Sequence, residues 1–358
     1  MWCRIPQRGV RSCCSTSSSP RRTVMRRTVA LIVTVALVAT GCGAQVSEGD
    51  SAASPAGFPV TVTNCGSSLT VSKPPSRVVT NDIGITELMF ALGLGDRMAG
   101  YVVDKGQSSG VASSPWKADF AKVPKLAEKI NREVVQGAGA DLVFAGWNYG
   151  FSEATGFTPD SLGKLGISSY LLTEACRNGN GKQRGIMRPL DALYTDVRNL
   201  GKIFGISDRA ERLIEEYRAR VAAVTNAVPA GRPKPKVFLY DDGRDQPFTS
   251  GRNAGPDEII TKSGGANIFA DLNDSWASVS WEAVIQRAPD VILINDYGGE
   301  VGSVADKENF LRSRPGLRDI PAVKEGRFFA LPYAALVEGP RNAAAVEEFG
   351  RYLANLPG

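Results

Sequence analysis

Apolar residues fall in two alternating rhythms along this chain. Short runs rich in β-branched and aromatic side chains read as strands: Arg77-Val78-Val79-Thr80, Asp141 to Ala145, Ser169 to Leu172, Val237 to Tyr240, Val291 to Asn295 and Phe328 to Leu331. Between them lie stretches with helical spacing, beginning with Ile85 to Leu92. Strand and helix patterns that alternate in this way predict an α/β fold with parallel sheets covered by helices. Mid-chain, Asp191 to Phe204 and Ser207 to Val228 both predict helices, the second with Ser207 as N-cap and an apolar stripe of Leu213, Ile214, Tyr217, Val221 and Val224. A Pro/Lys-rich break, Pro229 to Lys236, then precedes a fresh strand. The pattern divides the chain into an N-terminal α/β lobe at 61–190, a helical connector at 191–228 and a C-terminal α/β lobe at 229–358.

The two halves echo one another. Glu133-Val134-Val135-Gln136 precedes Asp141-Leu142-Val143-Phe144, and Glu282-Ala283-Val284-Ile285 precedes Asp290-Val291-Ile292-Leu293, with the same spacing from Glu to Asp. Each unit reads as a short helix feeding a buried strand, followed by aromatics: Trp147 and Tyr149 in one half, Tyr297 in the other. Ligands of open α/β sheets sit beyond the carboxyl ends of the strands, so these aromatics are candidates to face a shared cleft.

Ahead of the first lobe, Met25-Arg26-Arg27 supplies a cationic start, Val29 to Val38 is apolar apart from Thr34, and Ala39-Thr40-Gly41-Cys42 ends in small residues and a thiol. This is the pattern of an export signal with a lipidation site at Cys42, although Ala39 stands where lipoprotein signals usually carry Leu, and an ordinary cleaved signal is the alternative. The apolar run is too short to span a bilayer. Residues 1–41 are thus read as leader and signal peptide and 42–60 as a flexible tether. Arg21-Arg22 or Arg26-Arg27 leaves twin-arginine export open. The leader also changes the charge balance. It holds seven of the 42 basic residues and no acid, so the remainder has 35 bases against 37 acids, and nucleic acid is not an expected partner.

Of the six cysteines, Cys42, Cys65 and Cys176 lie beyond the leader. With Cys42 assigned to lipid, Cys65 and Cys176 form an even pair in an oxidising compartment, which favours a disulfide over two separate buried thiols. The chain contains no histidine. That excludes a Ser-His-Asp triad, His-containing zinc sites, a proximal-His haem and imidazole general-base catalysis. Gly106-Gln107-Ser108-Ser109-Gly110 matches the G-x-S-x-G pattern of hydrolases, but without a base for Ser108 it reads as a polar loop. No nucleotide-binding G-x-x-x-x-G-K-[ST] motif is present, so ATP hydrolysis belongs to another protein.

Val237-Phe238-Leu239-Tyr240, then Pro247-Phe248-Thr249-Ser250-Gly251, then Ser263-Gly264-Gly265-Ala266-Asn267-Ile268-Phe269 resembles the second lobe of the substrate-binding proteins for ferric siderophores and cobalamin that serve ATP-binding-cassette (ABC) importers. Arg77-Val78-Val79 followed by Thr86-Glu87-Leu88 and Ala91-Leu92-Gly93-Leu94-Gly95-Asp96 resembles the start of the first lobe, and Val279-Ser280-Trp281-Glu282 with Ala288-Pro289-Asp290 extends the match. The resemblance covers most of residues 60–358. It implies two α/β lobes joined by a single long helix, a comparatively rigid ligand cleft between them, no catalysis, no cofactor and a monomer. It also implies that one carboxylate per lobe, here Glu133 and Glu282, meets arginines of a permease that works with its own ATPase subunits. Two separated charged pairs of this kind fix orientation and speed encounter; a solvated glutamate at a helix start is the plain alternative.

For such a cleft the candidate contacts are Trp116, Trp147, Tyr149, Trp276, Tyr297 and Tyr333 as stacking surfaces, with Arg244 and Arg341 for anionic or carbonyl oxygens. Direct iron coordination would need convergent hard oxygen ligands; Asp241, Asp242 and Asp245 cluster, but in what also reads as an ordinary turn. The expected ligand is a preformed chelate, first a hydroxamate-like ferric siderophore because aromatic candidates outnumber clustered basic ones, then cobalamin or another corrinoid. A secreted enzyme using carboxylate or lysine chemistry, or a structural surface lipoprotein, are the readings from other classes.

Overall fold

The computed structural model describes residues 56–356 except 180 and 299–301. Cys42 and the leader lie outside the described residues. The described chain opens with an antiparallel hairpin, β1 (Val60–Asn64) and β2 (Ser67–Val71). Its two-residue turn, Cys65-Gly66, has positive φ at both positions (49° and 78°), the geometry that matches the right-handed twist of paired strands. Cys65 is joined by a disulfide to Cys176, 111 residues away, with the Cα atoms 5.2 Å apart.

Two parallel sheets follow. The first contains β3 (Val78–Asn81), β4 (Met98–Val102), β5 (Lys125–Ala127), β6 (Leu142–Trp147), β7 (Gly150–Phe151) and β8 (Ser168–Leu171), in the order β5-β4-β3-β6, with β7 and β8 both pairing with β6. The second contains β9 (Lys236–Tyr240), β11 (Ala266–Asn267), β13 (Val291–Asp296) and β14 (Phe328–Pro332), in the order β11-β9-β13-β14. Outside it, β10 (Phe248–Ser250) and β12 (Trp276–Ser278) make a short antiparallel ribbon. All six strands expected from the sequence are present.

Alternation along the strands explains why they are apolar on every residue. In β9, Val237 and Leu239 join the core shared by both lobes, while Phe238 and Tyr240 join a second core on the opposite face. The same split separates Val291 and Leu293 from Ile292 and Ile294, and Leu142 and Phe144 from Val143 and Ala145. Both faces of each sheet are therefore covered, as parallel sheets require.

The strands of the first sheet all precede the helix Pro189–Ile203, and those of the second all follow the helix Ser207–Ala227. The latter has 21 residues, a length of about 31 Å, and packs on Pro189–Ile203, Gly255–Lys262 and the C-terminal helix Asn342–Ala354. Its expected stripe faces inward: Ile214, Tyr217 and Val221 are buried, and Leu213 and Val224 pack beside them. Ser207 is not the cap; it is the first helical residue, and Ile206 occupies the N-cap position without a side-chain bond. No described helix is long and apolar enough to cross a membrane.

The sequence echo has a structural meaning. Helices Arg132–Gly137 and Trp281–Arg287 feed β6 and β13, each a central strand of its sheet. The repeated aspartate ties the start of the neighbouring strand: Asp141 accepts from the N–H groups of Ser76 and Arg77 before β3, and Asp290 accepts from Lys236 N–H at the start of β9.

Candidate functional site

The carboxyl ends of the two sheets meet at a cleft that holds a partly open cavity of about 240 Å³. Five rings wall it. Tyr149 comes from the turn between β6 and β7, where Asn148 adopts a left-handed φ of 69°. Its ring folds back over Gly146, where an added Cβ would fall on the ring itself, so this close approach needs glycine. Phe248 and Trp276 lie on opposite strands of the β10–β12 ribbon with ring centroids 5.9 Å apart and stacked. Tyr297 follows β13, Tyr333 follows β14, and these two rings stack at 5.0 Å. They also wall a second chamber of about 250 Å³ that reaches Gln107 and Ser109 of the first lobe. A larger open groove, about 540 Å³, lies between the ends of helices Ser207–Ala227 and Asn342–Ala354, remote from the strand ends.

The charged groups of the cleft are mostly acids. Glu174 and Asp241 line the cavity with one cation, Arg184, and Asp82 lies just behind Tyr333. Asp82 ends β3, caps the helix Ile83–Ala91 by accepting from Gly84 N–H, and holds a strained φ of 92°. Burial raises its pKa to about 6, against the opposing bonds from Tyr333, Gly84 and Gln107. Glu174 is raised to about 7, first by burial, with nearby Arg184 and the Trp276 indole pulling it back. Glu338 is pushed well above the carboxylate range, first by burial and then by the neighbouring Asp196 and Glu174. Asp241 accepts from Asn295 and, at 3.0 Å, from the Tyr297 hydroxyl. Behind it the buried Lys307 ammonium donates to the Asp241 and Asn295 carbonyls at the ends of β9 and β13. Burial lowers the Lys307 pKa, and Asp241 opposes that shift. The Arg184 guanidinium, by contrast, reaches the Trp147 carbonyl at 3.4 Å and makes no ion pair among the described residues.

Of the eight expected ligand contacts, Tyr149, Trp276, Tyr297 and Tyr333 line the cavity. The other four do not. Trp116 packs on the cluster around Phe120 and Tyr101, which also takes in Ala334 and Tyr333 of the second lobe. Trp147 turns into its own lobe, edge-on to Phe151, and the Arg177 guanidinium lies 4.1 Å from its ring centroid. Arg244 is exposed on the outer side of the second lobe, over Phe310. Arg341 is buried and makes a bidentate pair with Glu87 from the first lobe, so its charge is already neutralised. Phe248, Glu174 and Arg184 join the wall without having been expected there. Phe248 is visible only as the aromatic of Pro247-Phe248-Thr249; the other two carry no local sequence signal.

Among the described residues no three His, Cys, Asp or Glu side chains converge as metal ligands. Asp242 and Asp245 are exposed, whereas Asp241 is buried. Ser109 of the G-x-S-x-G segment is the second residue of the short helix Ser108–Ala112 and donates its hydroxyl to the Tyr297 carbonyl across the cleft. Glu133 and Glu282 are exposed at matching positions, each in the first turn of the helix before a central strand, with Asn131 and Ser280 as side-chain N-caps.

Two sheets with a ring-walled cleft between their carboxyl ends define a protein that holds a small molecule between lobes. A family model described as periplasmic binding protein matches residues 78–335, and the chain belongs to that family. It is 24% identical over 326 residues, 89% of this chain and 94% of the relative, to the uncharacterized ABC transporter substrate-binding lipoprotein YvrC of Bacillus subtilis (strain 168). It is 26% identical over 231 residues, 64% of this chain and 72% of the relative, to the vitamin B12-binding protein of Yersinia pestis (strain Pestoides F). Among solved structures, a periplasmic binding protein from Veillonella parvula dsm 2008 superposes with a TM-score of 0.70 at 26% identity, covering 84% of this chain and 98% of that one. The chain is a substrate-binding protein and not an enzyme.

Proposed function

We propose that this protein is the exported, lipid-anchored substrate-binding component of an ABC importer, and that its cargo is a preformed metal chelate, first a ferric siderophore of hydroxamate type. The observation that carries the cargo class is the character of the cleft. Among the described residues, five aromatic rings, two lining carboxylates and a single arginine suit a near-neutral or cationic complex and repel a highly anionic catecholate one. A corrinoid is the second reading, favoured by the vitamin B12-binding relatives. Anchoring at Cys42 is supported by the signal pattern and by a lipoprotein relative. Exposed Glu133 and Glu282, one per lobe, supply the carboxylates for docking to the permease.

Trp276 in the cavity wall makes the test direct. Intrinsic fluorescence of the purified protein is titrated with ferric hydroxamates, ferric catecholates, free chelators, haem and cobalamin, with inner-filter controls. Saturable quenching by ferric hydroxamates alone is the expected result. Saturation by cobalamin instead selects the corrinoid reading, and a flat response to the whole panel removes metal chelates as cargo.

A further inference from the structure

At about 240 Å³ the partly open cavity falls below the roughly 300–1,000 Å³ of ordinary small-molecule sites. With the lobes as they stand it takes in one arm of a chelate, while the body of the cargo stays at the mouth. The chemistry of that arm follows from the one acid that is not fully bonded. Three carboxyls stand in or behind the wall. Asp82 is bonded at both oxygens, Oδ1 by Gly84 N–H and Oδ2 by Gln107 and the Tyr333 hydroxyl. Glu174 is also bonded at both, Oε1 by the Trp276 indole and Oε2 by Glu338 N–H. Asp241 is 5% exposed, yet Asn295 and Tyr297 both donate to its Oδ1, and among the described residues Oδ2 accepts nothing. That oxygen is open toward the cavity Asp241 lines.

Asp241 also lacks a paired charge. Lys307 lies behind it, but the ammonium donates to the Asp241 and Asn295 carbonyls and forms no ion pair with the carboxylate among the described residues. Burial accordingly raises the Asp241 pKa, and Asn295, Lys307 and Tyr297 offset only part of that rise. Arg184, the other nearby cation, acts on Glu174 and Tyr149 of its own lobe. A buried carboxylate without a partner is destabilising, and a cation that reaches it relieves the strain. Two cavity-lining rings flank it: Asp241 N–H donates to the Phe248 carbonyl at 3.1 Å, and the Tyr297 hydroxyl reaches Oδ1 at 3.0 Å. Aromatic faces attract ammonium groups, as Lys307 shows at 5.0 Å from the Tyr297 centroid. A hard metal ion would need about six oxygens, and no such set converges among the described residues. We propose that Asp241, with the rings of Phe248 and Tyr297, is a subsite for an organic ammonium, so that the cargo, on the chelate reading above, carries a protonated amine on the arm that enters the cavity.

The first probes are n-pentylammonium chloride and 1-pentanol, alike in length and different in charge, titrated against the purified protein with Trp276 fluorescence as the readout. Neither carries a metal, so this part of the test does not depend on the cargo assignment. Pentylammonium is expected to half-saturate at a concentration about tenfold or more below that of 1-pentanol. Asp241→Asn keeps the shape and removes the charge, and the two probes are then expected to bind alike. Arg184→Gln removes the opposing charge and is expected to tighten pentylammonium binding about threefold. Should Asp241→Asn fail to fold, Phe248→Leu takes its place and is expected to weaken pentylammonium about threefold more than 1-pentanol. The second probes are two ferric trihydroxamates that differ only in a free or an acetylated terminal amine, and the free amine is expected to bind about tenfold more tightly. Equal binding of the small probes, or a pentylammonium preference that survives Asp241→Asn, overturns the subsite. Equal binding of the two chelates overturns its use by the cargo. Failure of both chelates to bind, with the small-probe preference intact, counts against the hydroxamate reading and leaves the subsite supported.

Discussion

A guanidinium at the start of a helix beside a cleft is well placed to meet an anion, and Arg341 has that setting in the sequence. Its partner is Glu87, more than 250 residues earlier, fully buried and also held by Ser114. Nothing local announces this pairing, and the same is true of Glu174, whose acceptor role depends on a tryptophan 102 residues away. The large aromatics were easier to read because each follows a strand, where an α/β sheet presents its cleft. Trp147 marks the limit of that logic: a ring can turn into its own lobe as readily as toward the ligand. The Glu87–Arg341 pair carries a quantitative expectation. Glu87→Ala leaves a buried arginine unpaired and should cost about 3–5 kcal/mol in denaturant unfolding, whereas Glu87→Met with Arg341→Leu should recover most of that loss. Equal destabilisation by single and double variants would show that packing, not charge, dominates there.

The parallel strands and the two mid-chain helices were legible because burial on both faces leaves a strong apolar signature, and because a long apolar stripe at helical spacing is the mark of one buried helix face. The β10–β12 ribbon was not. Its strands are three residues long and pair across more than 25 residues of chain, so no local periodicity marks them. Yet this ribbon positions Phe248 and Trp276 in the cavity. The turn between β6 and β7 shows how tightly an element can specify one ring: Gly146→Ala places a methyl group inside the present position of Tyr149. The variant should retain its secondary structure by circular dichroism while losing about tenfold or more in cargo affinity, the loss expected when a wall ring shifts by an ångström or so. Unchanged affinity would mean that Tyr149 lies outside the contact surface.

For the whole molecule, the unusual quantity is the number of acids buried with raised pKa: Asp82 and Glu174, with Glu87, Asp196, Asp241 and Glu338. A carboxyl whose pKa is raised on folding contributes stability that is fully present below its unfolded value and is lost as the pH rises through its folded value. For Asp82 and Glu174 that window runs from about pH 4 to about 7, and each shift corresponds to roughly 3 kcal/mol. Acids held low by surface ion pairs, such as Glu153 and Asp271, are exposed and weigh much less. Tm should therefore be higher at pH 5.5 than at pH 8, and Glu174→Gln should flatten part of the slope; a Tm that rises over this interval would contradict the assignment of these groups as buried acids. The docking carboxylates belong to the same scale. Glu133→Ala with Glu282→Ala should leave cargo affinity unchanged and abolish uptake through the cognate importer, and normal uptake would remove both from the docking surface.

The disulfide has a consequence for timing. Cys176 closes the base of the segment that carries Arg184: Gly185 N–H bonds back to the Cys176 carbonyl, Arg184 N–H bonds to Asp274, and Asn253 bonds to the Gly185 carbonyl on the second lobe. Arg184, the one cation lining the cavity among the described residues, therefore sits on a segment whose base is tied by a bond that forms where thiols are oxidised. Inside a reducing cytoplasm the newly made chain lacks that anchor, so the segment that carries Arg184 is expected to be held less firmly before export than after it, and reduction of the purified protein should weaken cargo binding in the same fluorescence titration.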